Sequence, residues 1–132
     1  MDKYFTLEEA GKLLPILEQE LDKLQALKNR FDELYAFLKE MRYEGAEERA
    51  LFQVESELEF LQIEAKLHIQ NIFKQGVQLK SIELGLLDFP SRLEGEEVLL
   101  CWKQGEDGIT HYHGVNEGFM GRKVIQDEDR FY

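Results

Sequence analysis

Apolar residues in the first part of the chain recur every three or four positions, at Ala10, Leu14, Leu17, Leu21, Leu24, Phe31, Tyr35 and Leu38. That spacing keeps one face of an α-helix dry. Just ahead of it, Thr6-Leu7-Glu8-Glu9 has the form of a capping box, so the pattern predicts a helix from Leu7 to about Arg42. Pro15 falls inside this helix and has no backbone donor, which predicts a bend in the first turns or a break near Leu13 and Leu14. Gly45 is the stop signal. A second stripe, Leu51, Val54, Leu58, Leu61, Ala65, His68 and Ile72, alternates steps of three and four as a coiled-coil seam does. It predicts a second helix from near Ala46 to near Gly76, antiparallel to the first because the connection is short. Both helices carry more apolar surface than one seam covers: Leu13, Leu27, Leu34 and Met41 on the first, and Phe52, Phe60, Ile63, Leu67 and Phe73 on the second. These second faces are expected to meet either the C-terminal part or another copy of the chain, most simply as two hairpins in a four-helix bundle.

Beyond Gly76 the apolar period falls from near 3.6 to near 2, which changes the expectation from helix to strand. In Glu97–Lys103, Val98, Leu100 and Trp102 face one way and Leu99 and Cys101 the other. Leu86–Arg92 reads as its partner across a Leu93-Glu94-Gly95-Glu96 turn, with a weaker strand candidate at Val77–Leu79. Gln104-Gly105-Glu106-Asp107-Gly108 turns the chain into a third strand of the meander, Ile109–His113. The glycine-containing stretch from Gly114 onward reads as irregular and the acidic end as a loose tail. The expected fold is therefore α+β: a long antiparallel, coiled-coil-like helical hairpin over 6–75, then a small antiparallel β-meander with an irregular segment over 76–126. Residues 127–132 form the tail, and 1–132 make one domain.

Composition narrows the partners. Twenty-seven acidic against 16 basic residues give a formal charge of -11, which repels phosphate backbones and anionic lipid headgroups, so neither nucleic acid nor a membrane is expected as a partner. The single cysteine, Cys101, cannot close an intramolecular disulfide, and the N-terminal residues lack the build of a signal peptide, which points to the cytoplasm.

The sharpest chemical feature is His111-Tyr112-His113, because residues two apart on a strand share a face and two imidazoles can then bind one divalent transition metal. Glu117 is the nearest candidate third ligand, with Asp88 or Cys101 as alternatives; a hydrogen-bonded structural pair is the competing reading. Glu117–Arg122 contains glycine-relieved backbone beside Arg122 and Lys123, a candidate small-anion pocket that Arg92 would join. It has no Walker-type spacing. Asp88 before Phe89-Pro90 reads as a turn-stabilising carboxylate, and Cys101 beside Trp102 as a small buried hydrophobe rather than a nucleophile. His68 on the helical seam reads as a register-setting residue. No serine lies in a nucleophile elbow, and no Glu-x-x-His pair exists for a di-iron bundle.

These residues resemble an uncharacterised bacterial family, the domain of unknown function 2203. The likeness rests on Tyr4-Phe5-Thr6 with Glu8-Glu9-Ala10, on Gly85-Leu86 with Asp88-Phe89-Pro90, and on Leu100-Cys101-Trp102. It continues through Ile109, His111 and His113 to Gly118-Phe119 and Gly121-Arg122. Tyr112 departs from the tryptophan that the family often carries there. The resemblance implies a bacterial cytosolic protein with no assigned activity, cofactor or partner, and a site among Asp88, Trp102, His111, His113, Phe119 and Arg122. With no complete catalytic set, the leading expectation is a non-enzymatic interaction or scaffold protein that forms a homodimer through its hairpin. A metal-binding protein or small metalloenzyme at His111 and His113 is the second expectation, and a small-anion binding module at Arg122 the third.

Overall fold

The computed structural model describes residues 3–132. Helix α1 spans Leu7–Tyr43 and helix α2 Glu48–Lys74. Their 37 and 27 residues correspond to lengths of about 56 and 40 Å. The capping box at the start of α1 is complete: the Glu9 N–H donates to Thr6 Oγ1 at 3.1 Å, and the Thr6 N–H donates to Glu9 Oε1 at 2.9 Å. The break expected near Leu13 and Leu14 does not occur; α1 runs unbroken through Pro15. Pro15 is exposed, so water can reach the Gly11 carbonyl that loses its partner, while Leu14 and Leu17 on either side are held in the core. Gly45, at φ 73°, ends the first rod in the left-handed region.

Five antiparallel strands follow in simple meander order: β1 Gln78–Ser81, β2 Leu86–Leu93, β3 Glu96–Lys103, β4 His111–Gly114 and β5 Lys123–Val124. Glu94 and Gly95, at φ 53° and 82°, make the tight β2–β3 turn, whose two positive φ values suit the twist of a hairpin. Pro90 lies beyond the end of β1, where the N-terminal segment takes the edge and the Phe5 N–H donates to the Pro90 carbonyl at 2.8 Å.

The alternation in β2 and β3 divides the sheet. Leu87, Phe89, Val98, Leu100 and Trp102 point toward Leu14, Leu17, Leu21 and Leu24 of α1 and Ile72 of α2, forming the main core. The sheet thus meets the first apolar stripe of α1; of the second-face residues, Leu13 packs against this core and Leu34 is buried within the hairpin. Farther out the hairpin projects beyond the sheet and closes on a small core of Leu34, Leu38 and Leu58. Across the seam His68 Nδ1 and Glu20 Oε2 are 2.6 Å apart, so the one polar seam position is partnered.

The C-terminal end, expected as a loose tail, is tied down. Phe131 is buried, bridges Leu93 and meets the Tyr112 ring edge-on at 5.5 Å, and the Tyr132 N–H donates to the Arg92 carbonyl. Phe131, one of two aromatic residues that end an acidic stretch, supplies the anchor, and a periodicity reading has no means of weighing it. Strand β5 and the short 3-10 turn Phe119–Gly121 also fall within the segment read as irregular.

Candidate functional site

The face of the sheet turned away from the helices carries Asp88 on β2, Cys101 on β3 and His113 on β4. Asp88 pairs in register with Cys101, and Cys101 with His111, while His113 is opposite Leu99. Residues on this face are covered by the segment that follows β4 rather than by a helix. Leu86, Leu99, Val115 and Phe119 wall a cavity of about 160 Å³, and Asp88, Cys101 and His113 form its polar floor. All three are buried, and each offers one ligand-type atom, these atoms lying within 4.8 Å of one another.

Hydrogen bonding fixes the His113 ring. Nδ1 is 2.8 Å from the Gly114 carbonyl oxygen, which only accepts, so Nδ1 carries the proton. Nε2 faces Asp88 Oδ2 at 3.1 Å. Two acceptors at that distance require a positive centre between them, either a second proton or a metal ion. The Gly114 N–H in turn donates to Glu117 Oε1 at 2.7 Å, so Glu117 holds the residue whose carbonyl orients the imidazole. Burial, the charge of Asp88 and a hydrogen bond to Asp88 together push the Cys101 thiol up to about 12. Without a metal the sulfur is therefore a protonated donor to the carboxylate and no nucleophile.

The two histidines expected to act together do different things. His113 enters the buried group, whereas His111 places Nδ1 2.8 Å from Thr110 Oγ1 and 3.9 Å from Glu106 Oε2, toward the side of the site. Glu117 lines the cavity, yet its carboxylate is engaged by the Gly114 N–H and by Lys123 at 3.6 Å. Those two contacts, the Gly114 N–H first, hold its pKa below the ordinary carboxylate range. The third-ligand alternatives Asp88 and Cys101 are the residues that join His113.

The anion pocket does not assemble. Arg122 donates to Glu106 Oε2 at 2.5 Å with its guanidinium over the Phe119 ring, while Arg92 stacks on Tyr4 at the far end of β2. The Gly121 and Arg122 N–H groups close onto the carbonyls of Gly118 and Phe119 and are spent in the turn. Sequence reasoning missed Glu106. Its carboxylate takes the Lys103 N–H and the Arg122 guanidinium, its carbonyl takes the Trp102 indole N–H at 3.1 Å, and it faces His111. Burial works to raise Glu106, but the Arg122 hydrogen bond, the Lys103 N–H and the charges of Arg122 and His111 outweigh it and lower its pKa. The Lys103–Glu106 spacing of a side chain reaching back across a turn was its only local signal.

An antiparallel meander, flanked on one face by a helical hairpin and holding a buried Asp–Cys–His group on the other, defines an α+β protein with one chemically distinctive centre. The family model of the uncharacterized conserved protein DUF2203 matches residues 3–125, and the chain belongs to that family. No curated protein and no solved structure matches it. Among the described residues, no helix is long and apolar enough to cross a membrane.

Proposed function

We propose that this protein binds a divalent transition metal through Asp88 Oδ2, Cys101 Sγ and His113 Nε2. The observation that carries the reading is the pair of facing acceptors, Nε2 and Oδ2, with the sulfur beside them. A metal ion satisfies all three at once and displaces the thiol proton. The outer Nδ1–H donated to a backbone carbonyl is the support that a ligating imidazole usually has.

Carboxylate, thiolate and imidazole together suit zinc or cobalt, and three protein donors leave a fourth position open toward the cavity. Ligand atoms around a tetrahedral ion are separated by up to about 3.8 Å. Binding therefore draws the donors in from their spread of up to 4.8 Å. The cavity of about 160 Å³ has room for a few waters or one small ligand at that position. The reading includes a cytoplasmic location, since reducing compartments keep a lone thiol free to ligate.

The test is elemental analysis of protein purified without a histidine tag, with cobalt substitution as the second readout. Stoichiometric zinc, and a sulfur-to-cobalt charge-transfer band that is lost in Cys101→Ser, are the expected results. His113→Ala should abolish retention, and His111→Ala should leave it intact. Metal absent from well-folded protein after zinc incubation, or retention indifferent to His113, would refute the proposal.

A further inference from the structure

Helix α2 carries a second apolar face on the side away from α1. Phe52, Phe60, Ile63 and Leu67 are 55 to 68% exposed, while Leu51, Val54, Leu58, Leu61, Ala65 and Ile72 pack into the hairpin. At 3.6 residues per turn the four exposed side chains fall within an arc of about 80°, roughly opposite the buried stripe. Four large apolar groups aligned over four turns differ from the scattered exposed apolar residues of an ordinary surface. The charges beside them are also ordered. Glu59 and Lys66 are on one shoulder, seven residues apart, both exposed and neither paired to another described residue, and Glu57 and Glu64 are on the other.

We propose that this face packs on the same face of a second copy, the two α2 helices running antiparallel about a two-fold axis near residues 61 and 62. In this register Phe60 meets Ile63 of the second copy, and Leu67 fits over Ser56 of the second copy, where the small side chain leaves room. Glu59 then lies beside Lys66 of the second copy, and symmetry repeats the pair. Parallel pairing would instead set Glu59 against Glu64 of the second copy, twice, so the charge pattern selects the antiparallel arrangement. On the other shoulder Glu57 approaches Glu64 of the second copy, but it is already paired with its own Arg30 at 2.9 Å. A second copy is the occupant that fits because both halves of this complementarity belong to one helix.

Light scattering coupled to size exclusion, and sedimentation velocity, on the full chain at micromolar concentration test the arrangement. The wild type should be a dimer, and Phe60→Asp combined with Leu67→Asp a monomer with an unchanged far-UV spectrum. Glu59→Lys should weaken association about tenfold, and Glu59→Lys with Lys66→Glu should restore it. A monomeric wild type would overturn the proposal and leave the stripe to a different partner. An unchanged mass for the Phe60, Leu67 variant would move the contact elsewhere, and failure of the charge swap to restore affinity would overturn the register.

Discussion

Asp88→Asn removes an anionic donor while keeping the size and reach of the side chain, and it separates a metal centre from a hydrogen-bonded cluster. In the metal-free protein the asparagine amide can donate to His113 Nε2 while its carbonyl accepts from the Cys101 thiol, so no buried polar atom loses its partner. The change should then cost about 1 kcal/mol, the difference between a charge-assisted and a neutral hydrogen bond. Metal at a hundredfold excess over its Kd adds about 2.7 kcal/mol to wild-type stability. For a chain of this length 1 kcal/mol moves Tm by roughly 3 to 5 °C, so zinc should raise the wild-type Tm by about 8 to 13 °C. The Asp88→Asn protein, lacking a charged ligand, should gain less than about 2 °C under the same conditions. Circular dichroism melts of tag-free, chelator-treated protein, with and without zinc or cobalt, measure both numbers. A wild type that does not shift, or an Asp88→Asn variant that shifts as far as the wild type, would refute the reasoning.

Thr6→Ala removes the oxygen that caps α1 and should cost about 1 kcal/mol in urea unfolding with the slope unchanged. Gly85→Ala should destabilise by more than this, because Gly85 has φ 67° and an added Cβ would be 2.5 Å from the Gln104 Cβ. Gln104 is itself tied to Gln25 and Asp22 of α1, so the collision is resisted. Glu106 titrates below its ordinary range in the fold, so its contribution is present above the unfolded pKa and is lost as pH falls through the lower folded value. Glu106→Gln should therefore shallow the acid limb of a stability-against-pH curve, and an unchanged limb would show that the Arg122 contact contributes nothing.

Much of the fold was legible from local pattern. Helix and strand periods separate side chains into faces, so the stripe from Ala10 to Leu24, the seam from Leu51 to Ile72 and the alternation through Val98, Leu100 and Trp102 identify the faces turned to the core, whereas at the far end of α1 Tyr35 is 42% exposed and Leu34 is buried in its place. The hairpin turn at Glu94-Gly95 and the cap at Thr6 are equally local. Site membership was only half legible: Asp88, Cys101 and His113 were all candidates, but adjacency in sequence favoured His111 and Glu117 as the companions of His113.

What the sequence determined by itself is therefore the two helices, the strands as far as His113 and the break near Gly76, because each follows from the geometry of a few consecutive residues; β5 and the short turn before it fell in the segment read as irregular. Tertiary structure alone decided that His113 turns to Asp88 across β3 while His111 turns to Glu106, that Arg122 is neutralised 16 residues from its partner, and that Phe131 docks beside Tyr112. Each of these is set by strand register and by loops that fold back over the sheet, and such contacts between distant residues leave no period in the chain.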